Sequence, residues 1–504
     1  MKKFVLLLSI CGASAAQAQK MPDPRPFAKT ITAEDLKKHL YIVASADFEG
    51  RETATEGQRK AAAYIENDFR TLGLKPGNGD NYQLQYPVFQ DSLEGASLSV
   101  NGNAFSFNQD FFVPVATDYT ADMGAAEVVF AGYGVSDSTR DDYKNLNVKG
   151  KVVMVLGGLP PGVPAPTGRA ARRFFLAKQE AAQKNGAVAI LILQSTTPRN
   201  VREPKGNMSM TEYPRTIYPN TFYITDAIAK AIVQDDFTAV QKGSGAGKTY
   251  SANIHLGVKK TTLHLQSSDV LGFLEGTDLK DQILVISAHY DHLGKRGDVI
   301  WYGADDDGSG TVSVLELAEA FAKAKAAGKG PRRSILFLAN SGEEKGLFGS
   351  QYYSEHPTYP LEKTTADLNI DMIGRIDPNR KAGDSTNYVY VVGSDKLSTE
   401  LKPISEGNNK KYSKLELDYK FDDPADPEMI YYRSDHFNFA RKGVPIIFYF
   451  DGIHKDYHQP TDTPDKINYD IMEKRARLVF FTAWEMADRN EMVKRDIALP
   501  ALSR

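Results

Sequence analysis

The run ILVISAHYD, residues 283–291, decides how this chain is read. Ile283 to Ala288 carry no charge and are almost wholly apolar. Such a run forms a strand buried on both faces, as in a parallel sheet covered by helices. Directly past its end stand His289 and Asp291, both residue types that bind metals. In open α/β sheets, ligand sites form beyond the carboxyl ends of the strands. The C-terminal half repeats this plan. TVSVLELAEAFAKAKAAG (311–328) is an amphipathic helix and RRSILFLAN (332–340) a second buried strand. LFGSQYYSEH (347–356) reads as helical. ADLNIDMIG (366–374), YVYVVGS (388–394) and GVPIIFYF (443–450) supply three more strands, and a helix from Tyr469 to about Arg489 closes the region. The expected fold is α/β, with a mixed, mostly parallel sheet sandwiched by helices.

The polar residues follow the strands. Glu343 and Glu344 come after ILFLAN, Asp371 ends ADLNID, and Asp451 and His458 follow IIFYF. Between the first strand and its helix lies GADDDGSG (303–310), with Asp305, Asp306 and Asp307 in a row. Alone, such a triplet forms a solvated turn. Here it shares one rim with the other strand-end residues, and a cation would offset the repulsion. His289, Asp306, Glu344, Asp371 and His458 are the candidate ligands. Two imidazoles and three carboxylates exceed one tetrahedral zinc with an open position. They suit two ions, spaced roughly 3.5–4 Å apart, if one carboxylate bridges. Asp306, the middle acid, is the natural bridge, and the flanking glycines let the backbone come close.

The pair Glu343-Glu344 fits the same chemistry, one residue ligating and the other accepting a proton from activated water. Asp291, two residues after His289, is placed to hold the second ring nitrogen of that histidine. The acids are consecutive, which excludes a calcium loop of the EF-hand type. His454 and His458 have helical zinc spacing, but their segment reads as a loop, with His458 the ligand and His454 not. His292, His356 and His436 have no assigned role.

The rest of the chain is less chemical. MKKFVLLLSICGASAAQAQK opens with two lysines, a short apolar run and the small-residue site Ala16-Gln17-Ala18, the pattern of a secretion signal over 1–18. The expected location is periplasmic or secreted. Cys11 is the only cysteine, and bulky Ile10 before it disfavours lipid attachment there. Residues 19–95 are expected to be a helical part packing on the catalytic region, with Thr32 capping one helix and Gly57–Leu74 forming another. Residues 96–260 read as a β-rich inserted domain. GSGAGKT within it lacks the spacing and strand of a phosphate loop. Residues 261–492 are the catalytic domain and 493–504 a tail. A net charge of −3 with interspersed signs argues against a nucleic-acid partner. The mature chain has no run long and apolar enough for stable membrane insertion.

AHYDHLG, GADDDGSG, SGEEKGLFGS, LNIDMIG and YHQPTDTPDKI resemble, in this order, the five metal-site motifs of co-catalytic zinc exopeptidases, metallopeptidase clan MH, family twenty-eight. The resemblance covers most of 262–492. VKGKVVMVLGG (148–158) resembles a protease-associated (PA) domain, inserted in that family before the metal-binding half. FEGRETATEGQRKAAAYIENDF (48–69) resembles the family's N-terminal helix. The resemblance implies the zinc-exopeptidase, phosphorylase/hydrolase-like fold and two Zn2+ per chain. One would be held by His289, Asp306 and Asp371, the other by Asp306, Glu344 and His458. It makes Glu343 the general base and Asp291 the group orienting His289. It also implies Tyr457 as an oxyanion donor and Ser434, Asp435 and His436 as pocket residues. Peptides are the implied substrates, cleaved by an aminopeptidase. A carboxypeptidase of the glutamate-carboxypeptidase type, a glutaminyl cyclase and a non-catalytic receptor-like relative are the alternatives.

Overall fold

The computed structural model describes residues 22–164, 168–194 and 204–499. The leader expected over 1–18, with Cys11, lies outside them, as does the end of the expected tail. The chain divides into two compact units, one running up to Gln85 and again from Ser267, the other Tyr86–Gln266. The inserted unit thus begins ten residues before the expected 96 and ends six after the expected 260.

The inserted unit is more α/β than its β-rich reading. Ala121–Phe130, Val152–Leu156, Ala189–Leu193 and Asn220–Ile224 are neighbouring parallel strands. Helices Gly168–Lys184 and Asp226–Val233 stand between successive strands or after the last. The missed signal is DAIAKAIV, a short amphipathic run that buries Ile228, Ala229, Ile232 and Val233.

The larger unit carries the sheet foreseen from ILVISA. Its strands are β1 (Leu279–His289), β2 (Arg333–Asn340), β3 (Thr364–Ile370), β4 (Tyr388–Val392), β5 (Glu416–Asp418) and β6 (Ile446–Phe450). Their order is β5-β4-β6-β3-β1-β2, and Val270 to Leu274 run antiparallel beside β2. β1 is parallel to both β2 and β3, and β3 is parallel to β6. β4 opposes β6, so the sheet is mixed. The chain leaves β1 for β2 on one side and returns to β3 on the other. The carboxyl ends of β1, β2, β3 and β6 therefore meet at a topological switch point.

Both faces are covered, which is why the strands are apolar throughout. Leu284, Ile286 and Ala288 of β1 pack into one core, Ile283 and Val285 into the other. The first core is closed by α1 (Ala33–Val43), α2 (Glu56–Thr71), α3 (Gly310–Ala326) and α4 (Tyr469–Asp488). Thr32 caps α1, its hydroxyl accepting from Asp35 N at 3.1 Å. The expected tail is anchored in part, with Val493 buried and its N–H donating to Thr365.

Arg51, between α1 and α2, ties these helices to the rim. Its buried guanidinium donates to the carbonyls of Val43, Tyr290, Tyr302 and Gly303 at 2.8–2.9 Å. Burial lowers its pKa to about 10, which leaves it charged at neutral pH. Arg51→Met strands four buried acceptors, a loss of roughly 3 kcal/mol or more. The melting temperature should fall by about 5–10 °C. An unchanged melting curve would show that the loops hold their places without Arg51.

Candidate metal centre

The three carboxylates of the triplet face three different ways. Asp305 accepts from Gly374 N at 2.7 Å and meets His454 Nε2 at 3.1 Å. Asp307 accepts from the backbone N–H groups of His289, Gly310 and Met372 at 2.8–3.2 Å. Asp306 turns to the rim. The loop can do this because Gly303 takes a left-handed φ of +56°, where a side chain would strike His292 and the Asp306 carbonyl. Gly310 has no room either, as a Cβ there would lie 2.4 Å from the Asp307 carboxylate. Asp462 secures the loop by accepting from the N–H groups of Asp305 and Asp306.

Around Asp306 the structure brings together all five residues expected as ligands. Oδ1 lies 3.3 Å from His289 Nε2, and Oδ2 lies 3.0 Å from His458 Nε2. His289 Nε2 is 3.6 Å from Asp371 Oδ1, and His458 Nε2 is 3.2 Å from Glu344 Oε2. Asp306 thus stands between His289 with Asp371 on one side and His458 with Glu344 on the other. Donor atoms of His289, Asp307 and Asp371 also lie within 4.8 Å of one another. The oxygens of Asp307 are already engaged by backbone donors, so Asp306 is the better ligand on that side.

The electrostatics match a cation-binding rim. Burial opposes charge on Asp306, yet the His289 and His458 imidazoles hold its carboxyl well below the usual range. Burial likewise opposes charge on His458, but Asp306 and Glu344 push its pKa up to about 10. Burial raises the Glu343 carboxyl well above its ordinary value; His289 opposes the shift, while Glu344 and Asp371 reinforce it. Among the described residues, His289 Nε2, Asp306 Oδ2 and Glu344 Oε1 are buried without a hydrogen bond. Unpartnered buried donors and acceptors are costly unless something else satisfies them. Nitrogen and carboxylate oxygen donors in this mixture suit zinc.

Two expectations are corrected, and one unassigned residue gains a place. The Asp291 carboxylate does not hold the His289 ring. His289 Nδ1 meets the main-chain carbonyl of Asp291 at 3.1 Å and its carboxylate only at 3.7 Å. That carboxylate accepts from Thr53 Oγ1 at 2.6 Å and from Glu343 N at 3.2 Å, so it positions Glu343 instead. Ser434, Asp435 and His436 do not line a pocket. All three are buried, Ser434 accepting from Asn369 and His436 bonded to the Tyr431 carbonyl and stacked on Phe448. They lead into the short helix His436–Ala440, which packs on the sheet. His292, left without a role, is buried with Nδ1 2.9 Å from Glu344 Oε1. Its signal was the spacing His289-x-x-His292 in one strand-end loop. Glu343 and Tyr457 do reach the rim. With Asp306 and Asp371 they border a recess whose wall is Met372, Ile430, Phe448, Phe450 and Ile453.

Residues 269–483 match the model of Peptidase family M28. The chain is 31% identical over 217 residues to a probable leucine aminopeptidase of Arthroderma otae, covering 42% of this chain and 56% of that protein. It is 26% identical over 275 residues to a probable zinc metalloprotease of Pyrenophora tritici-repentis, 46% of this chain and 54% of that protein. The chain thus spans about half the length of the curated relatives it matches. In fold it is similar to an aminopeptidase from Aneurinibacillus sp. strain AM-1, with a TM-score of 0.59 at 20% identity over 95% of this chain and 99% of that one. A zinc aminopeptidase from Bacillus subtilis gives 0.55 at 20% identity over 93% and 99%. The matched segment contains every strand end that feeds the rim.

Proposed function

We propose that this chain is a two-zinc exopeptidase that removes residues from the N-termini of peptides. One observation carries the reading: each oxygen of Asp306 faces a different imidazole, among buried donors that lack hydrogen bonds. His289, Asp306 and Asp371 would hold one ion; Asp306, Glu344 and His458 would hold the other. When bound, the pair supplies Lewis acidity, which polarises the scissile carbonyl and acidifies water.

The chain's own groups do the rest. Glu343 takes a proton from the attacking water and passes it to the leaving amine as the C–N bond breaks. Asp291 and Thr53 fix the turn that presents it. The Tyr457 hydroxyl donates to the carbonyl oxygen as charge develops there. The apolar wall of the recess would face the side chain of the first residue. An apolar preference agrees with the name of the fungal relative. Of the arginines near these loops, Arg375 is engaged by Asp456 and Arg441 by Glu355. Arg433 borders the recess itself and is bonded to the Tyr457 hydroxyl. The chain is exported, on the leader pattern at 1–18.

Glu343→Gln should lower kcat by about 10²–10⁴-fold while zinc content stays at the wild-type level. Retained turnover would remove Glu343 from its role. Chelation should abolish activity and lower the melting temperature, because ions that bind only the folded state stabilise it. Activity on zinc return should saturate at two equivalents; saturation at one would contradict a shared pair. Protein recovered from the exporting cell should begin at Gln19, and an intact Met1 would contradict the leader.

A further inference from the structure

Tyr457 directly precedes His458, and the two rings stack with centroids 3.9 Å apart. Arg433 Nη2 donates to the Tyr457 hydroxyl at 3.2 Å, and the guanidinium carbon lies 6.0 Å from the same ring. Both residues border the recess beside Asp306 and Glu343. The other charged neighbour of Arg433 is Glu428, at 4.0 Å and 61% exposed, a weak and screened tether. The backbone of Arg433 is better held. Its N–H donates to the Ile430 carbonyl, and the next three residues are the buried Ser434, Asp435 and His436. The guanidinium is thus presented from a fixed base.

A guanidinium has five N–H donors, no acceptor, and a charge that persists at any working pH. The direction of this hydrogen bond is therefore settled by chemistry. Arg433 gives and Tyr457 receives. The phenol cannot return its own proton to Arg433. Among the described residues, Arg433 is also the only hydrogen-bond partner of that hydroxyl. The phenol proton is left to point into the recess, where a carbonyl oxygen would gain charge.

We propose that Arg433 is a positioning residue that orients the Tyr457 hydroxyl as an oxyanion donor. This rests on the peptidase reading above. By withholding any acceptor, Arg433 removes the one competing direction for the phenol proton before substrate arrives. Preorganised donors of this kind avoid reorientation during the reaction.

The test combines substitutions at both positions, with zinc content and melting temperature measured for each variant. Tyr457→Phe should lower kcat by about 10²-fold. Arg433→Met should lower kcat by roughly tenfold with KM little changed, the effect of losing one charged hydrogen bond. Arg433→Lys is still donor-only and should recover most of the loss. Arg433→Gln offers an acceptor for the phenol proton and should not. In a Tyr457→Phe background, Arg433→Met should cost nothing further. Calorimetry with an aminoalkylphosphonate, an anionic tetrahedral mimic, gives a readout that needs no turnover. Its binding should weaken about tenfold on Arg433→Met, and only while Tyr457 is present. Equal losses in both backgrounds, a change confined to KM, or Gln matching Lys would overturn the proposal. So would full activity of Tyr457→Phe beside an inactive Glu343→Gln, which would leave the peptidase reading standing.

Discussion

One carboxylate, Asp306, faces two imidazoles, and the rest of the larger unit is arranged to allow it. His289 stands on one side at 3.3 Å and His458 on the other at 3.0 Å. Taking these charges out of water is expensive unless opposite charge and hydrogen bonds compensate. The neighbouring acids show how the chain limits the cost. Asp305 and Asp307 turn to backbone N–H groups and to His454, away from Asp306. The triplet is three separate interactions that share a short stretch of chain, and the middle one faces the two imidazoles.

The fold serves that arrangement at several levels. Parallel pairing of β1 with β2 and β3 aligns their carboxyl ends, so His289, Glu343 with Glu344, and Asp371 emerge on one edge. β6 adds the loop that carries Tyr457 and His458. α3 begins at Gly310, where its first turn lies against Asp307, and its first three turns are almost wholly buried. Arg51 and Thr53 reach from the N-terminal segment to the loops after β1, so residues far apart in sequence complete one rim. A rigid sheet with functional residues on its end loops is the usual division between scaffold and site.

Much of this was legible in the sequence, for physical reasons that differ from residue to residue. Fully apolar strands followed at once by His, Glu or Asp are informative, because both the burial and the exception to it show. That pattern marked His289, Glu344 and Asp371, while Asp306 and His458 lie further along the loops that leave the strands. What could not be read was the direction of side chains within a loop. Asp291 lies close to His289 in sequence, yet its carboxylate turns to Thr53 and Glu343 N, since the β1 loop presents the main-chain carbonyl to the ring. Ser434 to His436 stand in a polar-looking run, but a short helix rotates them into the core. Arg51 was overlooked because its partners come from distant segments, and no local pattern announces such pairing.

The sharing of Asp306 between two ions is tested most directly by anomalous X-ray scattering at the zinc edge, from crystals of the zinc-loaded protein. Two peaks about 3.5–4 Å apart are expected, one on each side of the Asp306 carboxylate. A single peak, or two peaks with Asp306 turned away from both, would contradict it.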